Sequence, residues 1–211
     1  MVSASKQHKK GRQPFDALGF LEIQGAARGI QALDAGCKTA SINVLKANVA
    51  CPDKYTILFT GSAEDVAAAY SAAAAAIGAG YYDGCQIGRV HPDLAHGLMG
   101  IFGHTGCERN AGWESAPKGE SDTPKGSDAV GVLETLSIAS GIKTADCALK
   151  AGYVVLKELH LGYALGGRSY WLITGDTAAV QAAMEAAADC GKELGRLGSY
   201  SLILQPGTQV S

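Results

Sequence analysis

Apolar residues change their spacing along the chain, and each change predicts a new element of secondary structure. Ala17–Gln24 is short, apolar and rich in β-forming residues, which predicts a buried strand. The next stretch sets Ala27, Ile30, Leu33 and Cys37 on one face at helical spacing, which predicts a helix at 25–40. The rest of the first half predicts a half-exposed strand at 42–49, a loop at 48–54, a strand at 55–60, a helix at 66–78 capped by Ser62, a strand at 85–90 and a short helix from His91 to about Met99.

The second half of the chain repeats this order. Its predicted elements are a strand at Ala129–Thr135, a helix at Ile138–Ala151, strands at 154–161 and 169–174, a helix at 178–194 capped by Asp176 and a closing strand at 199–205. Each half has the order β-α-β-β-α-β. We therefore predict an α+β fold of two tandem repeats, not circularly permuted, each with helices on one face of an antiparallel sheet.

The amino acids themselves also repeat. Nine residues of the segment 17–38 return 112 positions later, namely Ala17, Gly19, Leu21, Glu22, Ala27, Gly29, Ile30, Asp34 and Lys38. Further along the chain the offset is 114, so that Gly61 matches Gly175 and Lys54 matches Arg168. The second copy therefore has two extra residues between Lys150 and Arg168. This self-similarity identifies a tandem repeat and predicts a flexible basic arm at 1–16, a first domain at 17–100, a linker at 101–128 and a second domain at 129–211.

Composition narrows the class of protein. The chain has 211 residues, 47% of them hydrophobic, and its net charge of −2 gives no reason to expect nucleic acid as a partner. There is no apolar run of the length that spans a membrane, and no apolar segment follows the basic N-terminus as in a secretory signal. The six cysteines lack framework spacing. We expect them to be reduced cytoplasmic thiols in a soluble intracellular protein.

Most of the reactive side chains do not form a catalytic or metal-binding pattern. Cys37, Cys147 and Cys190 fall on predicted helices, and with Cys85 they are expected to be buried small hydrophobic residues. His104 and Cys107 have no second ligand pair at zinc spacing, even with His91 and His96 upstream, and are more simply linker residues. No Ser/His/Asp arrangement and no phosphate-binding glycine loop is found, so we predict that the chain is not an enzyme.

Two short motifs resemble a known family. Leu18-Gly-Phe-Leu-Glu22 and Val130-Gly-Val-Leu-Glu134, each followed by an Asp-x-x-x-Lys pair, resemble the shell domains of bacterial microcompartments. Two such domains in one chain resemble the tandem-domain shell proteins. That resemblance implies a homotrimer that imitates a hexamer, surrounds a central pore and tiles with other shell proteins into a shell within the cytoplasm.

The predicted hairpin loops resemble one subgroup in particular. The segment from Val49 to Tyr55 is similar to the pore loop of the propanediol-utilisation tandem shell proteins that carry an iron–sulfur cluster, and the glycine-rich segment from Leu161 to Arg168 is similar to their second loop. The resemblance implies pore loops that include Ala50, Cys51, Pro52, Asp53, Gly162, Tyr163, Gly166 and Gly167.

In that subgroup the cysteine of the first loop binds the metal, and Cys51 occupies the matching position. A residue near a trimer axis appears three times, and three thiolates can bind three irons of one [4Fe–4S] cluster per trimer. Such a cluster would carry electrons, or be transferred itself, across the shell, with encapsulated redox enzymes as further partners. Two alternatives remain: a free thiol that narrows a metal-free metabolite pore, and a soluble tandem-domain sensor or enzyme that shares the fold.

Three basic residues match the tile edge of the family. Lys38 and Lys150 correspond to the lysine at the contact between neighbouring tiles, and Arg89 lies where the family often has an arginine that meets it. The second copy has Leu204-Gln-Pro206 there, with no arginine. The alternative for both lysines is a solvated residue that complements the C-terminal end of a helix.

Overall fold

The structure is a computed structural model, and it describes residues 13–50, 53–102, 113–114, 128–162 and 165–207. The first half begins with β1 at Ala17–Gln24, where the sequence predicted it. The following elements are α1 at Ala26–Thr39, β2 at Asn43–Ala50, β3 at Lys54–Gly61, α2 at Ala63–Ile77, β4 at Tyr81–Ile87 and α3 at Pro92–Phe102.

The second half has the same order of elements. A two-residue strand β5 at Trp113–Glu114 precedes it. The elements are then β6 at Ala129–Thr135, α4 at Ile138–Ala151, β7 at Val155–Leu161, β8 at Ser169–Gly175, α5 at Thr177–Glu193 and β9 at Leu197–Leu204.

Both sheets are antiparallel and have equivalent strand orders. The first sheet has the order β2-β3-β1-β4, and the second has β7-β8-β6-β9 with β5 added beside β7. In each half the central strand carries the repeated Glu, at Glu22 and Glu134, and pairs with the last strand of its copy. The α+β fold of two tandem repeats is therefore confirmed.

Two helices begin at the N-cap residues that the sequence predicted, Ser62 and Asp176. The Ser62 hydroxyl accepts a hydrogen bond from the backbone N–H of Asp65 at 3.0 Å, and Asp176 accepts one from Ala179 at 3.0 Å. Each cap satisfies an N–H group that the first helical turn leaves without a partner. The predicted loop at 48–54 is shorter than expected, because ladder pairing continues to the pair Ala50 and Lys54.

Only part of the predicted apolar face of α1 contacts the core, where Leu33 is half-buried. Gly29, Ala32 and Gly36 are buried, whereas Ile30 and Cys37 are exposed. Small residues are needed on the inner side because the backbone approaches closely: a Cβ at Gly29 would lie 2.2 Å from the ring of Tyr55. The expectation that Cys37 is buried is therefore wrong for the single chain.

The two halves share an extensive junction. Helix α4 packs against its own sheet and also against β1 and β4 of the first half, while α3 packs on α4 and β7. The outer face of the first sheet and the interior of the second half form one continuous apolar cluster, which includes Leu18, Phe20, Ile87, Leu133 and Ile142. A second cluster lies between the first sheet and its own helices.

Candidate functional site

The first predicted pore loop lies between β2 and β3. Pairing of these two strands extends to Ala50 and Lys54, which flank the loop. Asp53 is exposed, has a positive φ of 47°, and accepts a hydrogen bond from the Gly25 N–H at 3.3 Å. Ala50 is only 5% exposed and belongs to the apolar cluster. Cys51 and Pro52 lie outside the described residues.

The second predicted pore loop depends on glycine. It lies between Leu161 and Ser169, which close the β7–β8 hairpin. Gly162, Gly166 and Gly167 have φ values of 79°, 61° and 80°, a region that side chains disfavour. The Gly162 N–H donates to Arg168 O at 2.9 Å, and the Gly167 N–H donates to Gly162 O at 3.3 Å. Tyr163 lies outside the described residues.

The two loops approach each other within the chain. A surface depression of about 280 Å³ is lined by Asp53 of the first loop and Gly166 of the second, together with Gln24, Lys54 and Tyr82. Asp53 and Lys54 are charged, and Gln24 and Tyr82 carry polar groups. The loops are therefore neighbours, although their place at a pore remains a prediction because it requires other chains.

A buried ion pair lies directly beneath these loops. Lys54 Nζ and Glu22 Oε2 are 2.8 Å apart, with side chains 5% and 0% exposed. The other carboxylate oxygen of Glu22 accepts the Ala139 backbone N–H of α4 at 2.8 Å. Burial raises the pKa of Glu22, an effect that the hydrogen bonds from Lys54 and Ala139 oppose. Lys54 also lies over the Tyr82 ring, 3.7 Å from its centroid.

A second carboxylate of the first half binds the start of α4. Asp83 Oδ2 accepts from the hydroxyl of Ser137, the N-cap residue, and from Ser140 Oγ at 2.9 Å. Arg196 lies 3.6 Å from the same oxygen and donates to Tyr82 O at 2.9 Å. Two carboxylates therefore meet the positive end of a helix dipole across the domain junction. Sequence reasoning missed Asp83, because it has no acidic counterpart in the second copy.

The equivalent ion pair of the second half is exposed to solvent. Glu134 Oε1 and Arg168 Nη1 are 3.4 Å apart, with side chains 38% and 51% exposed. Ser199, which occupies the strand position of Asp83, donates to Glu134 at 3.1 Å. Equivalent positions of the repeat therefore lie in an internal junction in the first copy and at the surface of the chain in the second.

The predicted edge residues are only partly brought together. Lys150 pairs with Asp146 of α4 and donates to the backbone oxygen of Arg89, so these two predicted residues meet inside one chain. Lys38 is highly exposed and pairs with Asp34 at 2.6 Å. Their role at a tile edge is not tested by a single chain.

The four described cysteines have different surroundings. Cys85 is buried on β4, as expected, and burial raises the pKa of its thiol. Cys147 and Cys190 are half-buried instead of buried, with sulfur atoms 3.0 Å apart. Within the described part of the chain, no group of three or more His, Cys, Asp or Glu side chains could hold a metal ion. No helix in that part is long and apolar enough to cross a membrane.

Comparisons with known proteins agree with the doubled fold. The bacterial microcompartment shell protein PduT of Citrobacter freundii is 29% identical over 190 residues, which cover 90% of this chain and 92% of PduT. The crystal structure of a microcompartments protein from Desulfitobacterium hafniense DCB is 31% identical, with a TM-score of 0.69 over 93% of this chain and 98% of that one.

A fused permuted hexameric shell protein from the RMM microcompartment shares the fold at 20% identity, with a TM-score of 0.53 over 86% of this chain and 83% of that one. The sequence model of the BMC domain matches twice, at residues 17–89 and 129–206. These two matches lie one in each half of the doubled fold, and the chain therefore belongs to the BMC domain family.

Proposed function

We propose that this chain, a structural shell protein of a bacterial microcompartment, assembles as a homotrimer with pseudo-sixfold symmetry around a central pore. The observation that carries the proposal is the unequal burial of two equivalent helices. Ten of the fourteen residues of α4 are buried, whereas three of the fourteen residues of α1 are buried. The first half of the same chain covers α4, and nothing within the described chain covers the corresponding side of α1.

The open side of α1 has the chemistry of an interface. Ile30 is 57% exposed, whereas its counterpart Ile142 is completely buried at the domain junction. Exposed Asp34 and Cys37 likewise correspond to buried Asp146 and Leu149. Ile30, Asp34 and Cys37 therefore form an exposed stripe on α1 whose equivalent positions on α4 are buried, which indicates a surface that a partner covers.

The matching surface is open at the other end of the chain. Strand β4 presents buried Cys85 and Ile87 to α4, whereas the equivalent strand β9 is exposed over most of its length. The second half of one copy can therefore receive α1 of the next copy, as the first half receives α4. This contact is head-to-tail, and such contacts form a closed ring when the rotation closes. Three chains would place six domains around the axis.

One carboxylate is already positioned for this contact. Glu22 binds the N–H of Ala139 at the start of α4. By the repeat, Glu134 would bind the N–H of Ala27 at the start of α1. That end of α1 has no side-chain cap and no acidic residue in its first turn, so a carboxylate from a neighbouring chain would satisfy it.

Sedimentation of Ile30→Lys tests the assembly. A buried, unpaired lysine is costly, so this variant should be monomeric where the wild type is trimeric. Tyr153→Lys is the matched control, since Tyr153 is exposed but lies in the turn after α4. A monomeric wild type, or a trimeric Ile30→Lys variant, would rule out the proposed contact.

The pore proposal adds a [4Fe–4S] cluster held by Cys51. Support comes from the resemblance of this loop and from the donor set: Cys51 supplies one thiol per chain, and a trimer would supply three. Three thiolates fit three irons, and the fourth iron would take another ligand. When bound, the cluster would supply one-electron chemistry. Electrons would then pass between the two sides of the shell, towards encapsulated redox enzymes.

Metal analysis of anaerobically purified protein tests this proposal. We expect about four irons and matching sulfide per trimer, as a cubane cluster requires, and their loss in Cys51→Ser. Cys147→Ala is the control, because Ala35 is the corresponding residue in the first copy. The cluster would be refuted if the reconstituted protein contained no iron, or if Cys51→Ser left the iron content unchanged.

A second candidate is a metal-free metabolite pore. The observation that favours it is the depression between the loops, which is lined by the charged residues Asp53 and Lys54 and by Gly166, one of three glycines of the second loop at positive φ. Retention of a small polar metabolite by cluster-free trimer would support this function.

The exposed Lys38 would in either case serve the contacts with other shell proteins. Lys38→Ala should then reduce two-dimensional sheets in electron micrographs and leave the trimer unchanged.

A further inference from the structure

Two cysteines of the second half face each other across its helix pair. Cys147 lies on α4 and Cys190 on α5, and their sulfur atoms are 3.0 Å apart. Both side chains are half-buried, so the pair lies where the groove between the helices opens to solvent. The positions are 43 residues apart in the sequence. No role in the shell or the pore uses them.

The first half serves as an internal comparison. Its two helices pack together in the same manner, and the residues that correspond to the cysteines are Ala35 and Ala76. Alanine therefore satisfies the packing at both positions. A single cysteine could replace alanine as a small apolar residue, but two at one contact create a dithiol that the fold does not require.

The surroundings make the two thiols unequal. The hydrogen bond with Cys190 lowers the pKa of Cys147 to about 7, helped by Lys143 and Lys150 and opposed by burial and by Asp146. The same hydrogen bond and burial raise the pKa of Cys190, to which Glu193 of α5 adds. Lys143 and Lys150 favour the thiolate of Cys147, whereas Glu193 disfavours that of Cys190, so Cys147 is the first nucleophile and Cys190 is the thiol that resolves a mixed disulfide.

We propose that Cys147 and Cys190 form a reversible intramolecular disulfide by exchange with a small-molecule disulfide of the glutathione class. The Cys147 thiolate attacks one sulfur of that disulfide, which forms a mixed disulfide and releases one small thiolate. The Cys190 thiol then loses its proton to solvent, attacks the Cys147 sulfur and releases the second small thiolate. Two protein thiols are oxidised and one small disulfide is reduced to two thiols.

The disulfide would fix the helix that carries the domain junction. α4 receives Glu22 and Asp83 at its N-terminal end and joins Lys150 to the Arg89 backbone near its other end. A bond from α4 to α5 would resist the separation of this helix from its own sheet. For a loop of 43 residues, chain-entropy arguments give a rise in melting temperature of roughly 5–15 °C.

Peptide mapping tests the proposal in the full chain with Cys51→Ser, so that pore thiols do not interfere. The protein is equilibrated with reduced and oxidised glutathione at several ratios, alkylated and digested with trypsin. Cleavage after Lys143, Lys150, Arg168 and Lys192 isolates Cys147 in peptide 144–150 and Cys190 in peptide 169–192. We expect these two peptides to be joined under oxidising ratios and separated by reduction.

The controls separate this disulfide from random oxidation. Cys37 has no partner thiol within the described residues, and in the proposed trimer the next chain covers it, so it should join neither peptide. The variant Cys147→Ala/Cys190→Ala restores the alanines of the first copy and should lose both the joined peptide and the redox-dependent melting shift. The proposal is overturned if 144–150 and 169–192 stay separate under oxidising ratios, or if Cys37 joins to either peptide as often as they join to each other.

Discussion

Replacing the same isoleucine in each copy of the repeat should separate folding from assembly. Ile142 is completely buried where α4 meets the first half, and Ile30 is 57% exposed at the equivalent position of α1. Truncation to alanine removes the same atoms from the same place in two equivalent helices. Ile142→Ala should therefore destabilise the single chain, whereas Ile30→Ala should mainly weaken the association of chains.

The expected magnitudes differ clearly. A fully buried isoleucine truncated to alanine costs about 2–5 kcal/mol, because apolar contacts are lost and a cavity remains. In a chain of this size each kcal/mol shifts the melting temperature by about 2–4 °C, so Ile142→Ala should melt roughly 4–20 °C lower. For the isolated chain, Ile30→Ala should change the free energy of unfolding by less than about 0.5 kcal/mol, since alanine favours helices and little burial is lost.

The assay must keep association apart from unfolding. Bound partners raise apparent stability, so melting is measured at low concentration, where sedimentation shows monomers, and the trimer is measured separately at high concentration. Ile142→Ala should lower the melting temperature of the monomer. Ile30→Ala should shift the monomer–trimer equilibrium toward monomers. Equal melting shifts in the two variants, or no effect of Ile30→Ala on association, would refute the assignment of α1 as an interface.

Three further predictions concern the junction and close backbone contacts. Burial raises the pKa of Glu22 above its ordinary value of 4.5, so the contribution of this carboxyl group to stability is complete below pH 4.5 and falls as the pH rises through the pKa of the folded state. From pH 4.5 to 7 the urea midpoint of Glu22→Gln should therefore fall less than that of the wild type. Parallel plots of urea midpoint against pH for the two proteins would contradict this. Gly152→Ala would place a Cβ 2.4 Å from a backbone carbonyl of α5 and should cost about 1–3 kcal/mol in urea unfolding, whereas Gly88→Ala, with no atom closer than 4.0 Å, should cost less than about 0.5. Asp83→Ala removes the acceptor of the Ser137 and Ser140 hydroxyls and should lower the free energy of unfolding by about 1–3 kcal/mol. Ser199→Ala, the equivalent change in the second copy, should leave the free energy of unfolding of the monomer nearly unchanged. Equal losses in the two variants would show that the Asp83 contacts add no stability.

Much of the fold follows from short-range signals in the sequence. The bounds of β1, β6 and α4 agree with the prediction because an apolar run or a helical period ends at a clear cap or turn. The start of β4 at Tyr81 was missed by four residues. Its first residues are exposed or half-buried and include Asp83 and Gly84, so they lack the apolar pattern of a strand. Their strand conformation comes from pairing with β1, which local sequence does not encode.

The candidate site was less predictable because its key contacts join distant residues. The alignment of Lys54 with Arg168 was visible, but nothing local showed that the Glu22–Lys54 pair would be buried and the Glu134–Arg168 pair exposed. That difference depends on which surface the other domain covers. The apolar face of α1 was likewise found from its period, but the expected burial of Cys37 was wrong, because the small residues Gly29 and Gly36 occupy the inner side of the helix.

The two junctions of the proposed ring are not chemically equal. Within the chain, Asp83 is bound by the hydroxyls of Ser137 and Ser140. The corresponding residues at a junction between chains are Ser199, Gly25 and Arg28, which contain no carboxylate. The contact between chains would keep the Glu134 link to α1 and the apolar stripe, but lose this cluster of hydrogen bonds. Because hydrogen bonds to a charged group contribute about 1.5–3 kcal/mol, the junction between chains should be the weaker one, and dissociation should release folded two-domain chains.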